Sequence, residues 1–469
     1  MTPPEPLLDA PLGGLAIVLG LMVVLMVVVR GIQVLAKPHP ELVRKMFHVG
    51  GGLVVITLPW LFARPWPVVV LGAVSAGGFL LLRIVPPLKA SLGQVLGGVQ
   101  RVSTGEFGFL AAVVLLFVLS DRAPVLFGVP VLILAIADAS AALVGISYGK
   151  LHFATVEGGR KSAEGSLTFL VAAFFCVHVP LLLWTTTGRA ESLLIAANVA
   201  LIAMMAEAIA WRGFDNFFIP FFAFAFLTSY LRMGVSELGL HLGVLVGLFA
   251  FAYVLRRRTN LVANARLGGV LFGYVAWSLG GAIWLAPPVL LFSLYRPLSR
   301  PVARDASRHI HFPAISAVLV PPLLWVVCHW LFAAPGQPHG EFHGYFHAYA
   351  AMFGAHLAII ALLRHKHLVP AVKRPALVAV NAAKGALLIV PPAFLQEGFT
   401  ARAALTIGAG VASIVVACAA FCVLQPELEA DPIDTPRWIR QGACVTVASL
   451  LSLLPAQADV IARFVAAGP

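Results

Sequence analysis

Apolar runs of roughly 15 to 25 residues, each closed by a short polar joint, recur along the whole chain, and about 20 apolar residues is what a helix needs to cross a bilayer. In lipid, backbone amides and carbonyls must be satisfied within a helix or around a closed barrel. The runs are rich in Leu, Val, Ala and Gly and lack the period-two alternation of a barrel, so helices remain. Only 11% of the 469 residues are charged and 60% are hydrophobic, whereas soluble domains carry about 25% charged residues. A soluble globular protein, a disordered chain and a fibrous repeat are thereby excluded. The expected fold class is all-α, a polytopic integral membrane protein.

Spans are expected at about 11–29, 47–63, 66–85, 105–120, 123–145, 163–184, 190–210, 215–231 and 236–255. A tight pair follows at 266–298, then spans at about 310–333, 345–363, 376–395, 401–424 and 440–457. That makes about 15 or 16 transmembrane helices in two bundles, according to whether 266–298 crosses as a hairpin. The first block, Leu15 to Val29, follows Glu5 and Asp9 rather than a basic segment and reads as a retained helix. The net charge of +12 resides in joints such as Lys37/Arg44/Lys45, Lys150/Arg160/Lys161 and Arg256–Arg258. With the N-terminus outside, these joints fall on one side, which the positive-inside rule makes the cytoplasmic side of a bacterial-type inner membrane or its equivalent. Topology thus accounts for the charge without a nucleic-acid partner. The three consecutive arginines mark a natural boundary, and the division expected is one domain over 1–235 and another over 236–469. Cys176, Cys328, Cys418, Cys422 and Cys444 lie in apolar stretches without the spacing of a disulfide framework or zinc site and read as core fillers.

Ionisable groups at membrane depth are costly, so each calls for a reason. Asp138 falls late in the fifth span and Glu207 in the seventh, while Glu106 opens the fourth and Asp215–Asn216 the eighth. Three segments expected on the cytoplasmic side add to them. Glu41–His48 puts Arg44 and His48 four apart, on one helical face, with Lys45 beside them. Glu157–Ser166 is a Gly-bearing loop in which Ser162, Glu164, Gly165 and Ser166 run into the sixth span beside Arg160 and Lys161, the makings of a phosphate cradle. In Trp211–Asn216 one helix ends at Gly213 and Asp215–Asn216 cap the next. Together these are the parts of phosphoryl chemistry, with cations and amides for phosphates and carboxylates for Mg²⁺. A Walker A loop and a Rossmann fingerprint are both absent from the sequence.

The same residues, in the same order, carry a resemblance. Arg44-Lys45-Met46-Phe47-His48 and its glycines, Asp138-Ala139 with Gly145 and Gly149-Lys150, Gly159-Arg160-Lys161-Ser162-x-Glu164-Gly165-Ser166, Glu207-Ala208 and Arg212-Gly213-x-Asp215-Asn216 occupy about 40–235. This stretch resembles the phytol and dolichol kinases, CTP-dependent polyprenol kinases related to phosphatidate cytidylyltransferases. The resemblance implies a lipid alcohol as acceptor, a nucleoside triphosphate, CTP, as donor, Mg²⁺ as cofactor, and transfer at the cytoplasmic face. It further implies that Lys161, Ser162, Glu164, Gly165 and Ser166, with Lys45, meet the triphosphate and that Arg160 neutralises it. Asp138 would hold Mg²⁺ or orient the lipid hydroxyl, Glu207, Asp215 and Asn216 would complete the polar floor and metal site, and Arg44, Lys45 and His48 would face the developing charge. The module comes first in this chain, as in the shorter phytol kinase-like members, which favours a phytol-like acceptor over dolichol.

Two rival readings share some of these parts. A CDP-lipid synthase would use the same CTP and Mg²⁺ but release pyrophosphate, and a lipid transporter or flippase would use Asp138 and Glu207 as a path. Clustered loop motifs and the lack of a visible inverted repeat weigh against transport. Residues 261–300 loosely resemble a membrane family that includes a phytyl-phosphate kinase. Between residue 240 and Gln425 the only acids are Asp305, Glu341 and Glu397, all expected in loops or at helix ends, so no buried carboxylate centre is expected there. The second domain therefore reads as a packing, substrate-guiding or partner domain. His339, His343 and His347, with Glu341 among them, have the spacing of a divalent-metal face but read first as an interfacial helix end weakened by Pro338, Gly340 and Gly344. Membrane lipids are implied partners, and the sequence leaves room for a homo-oligomer.

Overall fold

The computed structural model describes residues 4–7, 10–90, 105–154, 160–209, 213–257, 259, 261–298, 312–332, 343–365, 374–425 and 435–455. Of the described residues, 88% are helical. Ten helices among the described residues are long and apolar enough to cross a membrane, eleven if the bent pair Pro375–Ala386 and Val390–Glu397 is one pass. The chain is a multi-pass membrane protein. Other blocks of the expected 15 or 16 are helical but shorter, as at Gly105–Leu119 and Ala282–Tyr295. The chain forms two compact units, residues 1–245 and 246–469.

The first unit opens with α1 (Pro11–Ala36), α2 (Pro40–Ile56), α3 (Trp66–Ile84) and α4 (Gly105–Leu119). Helix α2 starts earlier than the expected 47. Pro40 suits the first turn, where no amide is needed, and His39 Nδ1 accepts from the Glu41 amide at 3.3 Å. Arg44, Lys45 and His48 are therefore inside a helix rather than at its threshold. Next come α5 (Pro124–Leu132), a single π-turn (Ile133–Ala137) and α6 (Asp138–Tyr148). Pro130 has no amide to give to the preceding turn, and the ladder recovers through the wider turn that follows. Periodicity places a helix here but does not register the extra residue, which resets the direction of Asp138.

A two-stranded antiparallel ribbon, β1 (His152–Ala154) and β2 (Arg160–Ser162), pairs Phe153 with Lys161. It departs from the expected irregular loop. Ser162 then caps α7 (Ala163–Trp184), its Oγ accepting from the Gly165 amide at 3.1 Å. The unit continues with α8 (Arg189–Ile209) and α9 (Asp215–Tyr230) and ends within α10 (Val235–Val254). Gly213 takes φ 84° at the turn into α9, a conformation that favours glycine.

Close crossings hold the polar segments together. A Cβ on Gly52 of α2 would lie 2.5 Å from Ala135 Cβ in the π-turn. Gly52→Leu is accordingly expected to cost about 1–3 kcal/mol of stability, seen as a lower Tm in detergent. An unchanged Tm would mean the crossing tolerates bulk.

The second unit contains α11 (Ala263–Gly280), α12 (Ala286–Leu298), α13 (Phe312–Phe332), α14 (His343–His365), α15 (Arg374–Ala386), α16 (Val390–Glu397), α17 (Ala401–Leu424) and α18 (Thr435–Ser449). Helix α14 is its axis, apolar on nearly every side and 89% buried over its span. Tyr349 Oη donates to the Trp284 carbonyl at 2.9 Å, and Gly354 and Gly385 let α14 and α15 approach backbone to backbone. The expected span at 376–395 is broken, with a 44° bend between α15 and α16.

Candidate active site

A cavity of about 570 Å³ lies within the first unit. Helix α2 brings Glu41, Arg44, Lys45 and His48 to it, at spacings of three and four that share one face. The turn after the π-segment brings Asp138, the ribbon Lys161, and the start of α9 Asp215 and Asn216. Segments as far apart in sequence as Glu41 and Asn216 thus meet around one space.

Its charges are interlocked. Lys45 Nζ donates to Asp138 Oδ2, and both residues are buried. His48 Nε2 lies 3.0 Å from the Leu134 carbonyl, so Nε2 carries the proton, and 3.6 Å from Asp138 Oδ2. Arg44 Nε donates to Glu41 Oε2 at 3.1 Å. Lys161 Nζ donates to Glu207 Oε1 at 2.6 Å and to the Glu207 carbonyl. Burial works against the Lys161 ammonium, but Glu207 beside it, with Asp215 and Asp138 further off, outweighs burial and holds its pKa above the ordinary lysine value. At the rim, Arg83 donates to Glu106 at 2.7 Å, tying the end of α3 to the start of α4.

Arg44, Lys45, His48, Asp138, Lys161, Asp215 and Asn216 are thus brought together, whereas the remaining expected residues stand elsewhere. Glu207 lies behind Lys161 as its counter-charge, with Oε2 buried and unpartnered among the described residues. Ser162 and Gly165, expected at the triphosphate, are not among the residues that line the cavity. The Gly165 amide is spent on the Ser162 hydroxyl, and both pack where a Cβ on Gly165 would come within 2.9 Å of the Ala141 carbonyl. A Cβ on Gly149 would press on Ser162 as well, at 2.8 Å from its Cβ. These glycines fasten α6 to α7, and the cap is their hydrogen-bonded centre. Glu164 turns to the Leu151 amide, at 3.2 and 3.3 Å, bracing the ribbon. Ser166 is half-buried one turn into α7, and Arg160 pairs with Ala154 across the ribbon. Arg212 and Gly159 lie outside the described residues.

Sequence reasoning missed the rest of the wall. Val18, Met22 and Met26 of α1 line the cavity, as do Val68 and Leu71 of α3 and Leu110 and Val113 of α4. Their apolar faces read as ordinary lipid-facing or core positions, and nothing local distinguishes them. The Glu41 to Arg44 pair is a contact that its three-residue spacing alone would have signalled.

The second unit corrects one expectation, that of no buried carboxylate. Glu397 has a side chain only 4% exposed and accepts from His347 Nε2 at 3.0 Å. Fifty residues separate the pair in sequence, and the bend between α15 and α16 brings them together. His339 and Glu341 lie outside the described residues. Among those described, no group of three or more His, Cys, Asp or Glu side chains is placed to hold a metal ion.

No family model and no solved structure matches the chain. Among curated proteins it is 33% identical over 198 residues to the phytol kinase of Synechocystis sp., an alignment that spans 41% of this chain and 82% of that protein.

Proposed function

The chain belongs to the phytol kinase family, and on that premise we propose that its first unit is a Mg²⁺-dependent lipid-alcohol kinase that moves the γ-phosphoryl group of CTP to a prenol at the cytoplasmic face. One observation carries the reading. A single cavity joins a cluster of cations and carboxylates to a wall of aliphatic side chains, the profile of a substrate with one polar head and a hydrocarbon tail. The basic joints on the same ends of the helices support the cytoplasmic orientation.

In the transfer, the prenol oxygen forms a bond to the γ-phosphorus while the bond from that phosphorus to the β,γ-bridging oxygen breaks. Nucleoside diphosphate leaves and the hydroxyl proton passes to a carboxylate. Asp138 is the acceptor in this reading. Lys45 donates to it and the Leu134 carbonyl fixes His48 beside it. Arg44 and Lys161 each have a carboxylate partner and face the cavity, so incoming phosphate oxygens meet cations already oriented, and little reorganisation is needed at the moment of reaction. No covalent intermediate is required.

Asp215 and Asn216 are hard oxygen donors on the cavity wall, a set that suits an ion taking one or two carboxylates and completing its shell with phosphate oxygens and water. Mg²⁺ held there would neutralise charge building on the triphosphate. Glu207 supports Lys161 in this assignment rather than ligating the metal.

The test is incubation of the purified protein in nanodiscs with Mg²⁺, a prenol panel and CTP labelled in its γ-phosphoryl group. Label is expected in an extractable prenyl phosphate. Label from the cytidine ring in a liponucleotide would replace the kinase by a CDP-lipid synthase, and no transfer of either label would reject both.

A further inference from the structure

The cavity has a direction. Its polar end is set by Glu41, Lys45 and Asp138, together with the Arg83 to Glu106 pair that joins the end of α3 to the start of α4. From there α2 runs ten residues deeper, from Lys45 to Val55, about 15 Å at the helical rise. At that depth Val18, Val55, Val68, Leu71 and Val113 are buried in one apolar cluster and close the floor. A hydrocarbon tail extending from a head at Asp138 has the walls of α1, α3 and α4 beside it and a stop beneath it.

The cavity also reaches the outer surface of the bundle along one side. Val23 of α1 and Val74 of α3 line the cavity yet are 61% and 51% exposed. Gly78, one turn from Val74, lines the cavity and is exposed too, and a Cβ built on it meets nothing within 4 Å. Helices α1 and α3 are neighbours, so these residues frame a gap between them. Neither a charge nor a hydrogen-bonding side chain stands at Val23, Val74 or Gly78, and water-borne CTP has no polar partner among them.

We infer that the gap between α1 and α3, framed by Val23, Val74 and Gly78, is the lateral doorway through which the lipid alcohol passes from the bilayer into the cavity, with its tail lodged between these helices. The inference rests on the lipid-alcohol reading for the identity of the occupant. It assigns the first helix, which precedes the stretch resembling the kinases, a part in substrate access. The glycine keeps the gap open.

Gly78→Cys adds little bulk and provides a handle that can be enlarged after folding. Gly239 of α10 is the control, because it too is exposed with open space around it and does not line the cavity. Each cysteine variant, in nanodiscs, is assayed before and after reaction with a bulky membrane-permeant maleimide, with the wild-type chain treated alongside to account for its own cysteines. Labelled Gly78→Cys is expected to lose more than about tenfold in kcat/KM for the prenol, while labelled Gly239→Cys matches the labelled wild type. Equal activity of the two labelled variants overturns the doorway. A second measurement does not depend on turnover. A prenol bearing a photoreactive group at its tail end is expected to cross-link to α1 and α3 in the wild-type chain, and to lose those cross-links when Gly78→Cys is labelled. Cross-links confined to other helices overturn the inference. Specific cross-linking at α1 and α3 without any phosphoryl transfer would leave the doorway standing and reject the kinase.

Discussion

Asp138→Asn is expected to lower kcat/KM for prenol phosphorylation by about a thousandfold, with the protein still inserted in the membrane. The substitution keeps shape and volume but removes the proposed proton acceptor and the charge that Lys45 faces. Because the pair is buried, breaking one side also leaves an uncompensated ammonium, at a stability cost of about 3–5 kcal/mol. Loss of activity alone would therefore not separate chemistry from folding. The double variant Lys45→Met, Asp138→Leu removes both charges, and apolar replacement of a buried pair is often neutral or stabilising. It is expected to recover most of the Tm lost by Asp138→Asn and to remain inactive. Activity in Asp138→Asn within tenfold of wild type would remove Asp138 from the reaction.

Lys161→Ala is expected to cost about 10²–10³ in kcat/KM, with a rise in KM for the nucleotide that Asp138→Asn does not share. The ribbon holds this ammonium between Glu207 and the cavity, so its removal takes away the proposed phosphate partner and strands a buried carboxylate. Lys161→Met combined with Glu207→Gln should restore thermal stability without restoring activity. Unchanged nucleotide KM in either variant would reject the contact with the triphosphate. The pH dependence has a definite sign. With its folded pKa raised above the ordinary 10.5, Lys161 contributes stability that is complete at lower pH and is lost only as the pH rises through the folded value. Above neutral pH, the Tm difference between wild type and the double variant should accordingly stay flat and change only in strong alkali.

Long apolar runs determine that this chain is an all-α membrane protein, because lipid offers the backbone no other partner. Local spacing was equally readable where chemistry is local. Arg44 and His48 share a face of α2, and Ser162 caps α7. The motif order joined Arg44, Lys45, His48, Asp138, Lys161, Asp215 and Asn216 in one functional reading, and they do line one cavity. What those residues do inside it was decided by tertiary structure. Ser162 and Gly165 look like a phosphate loop in sequence, and close approach of α6 and α7 makes them a cap and a packing surface. Glu207 faces Lys161, and Glu397 meets His347 across fifty residues, because helix packing and a 44° bend set those distances. The tail wall on α1, α3 and α4 had no signature of its own, since an aliphatic side chain reads the same whether it faces lipid, a packed core or a substrate. Only the arrangement of neighbouring helices distinguishes the three.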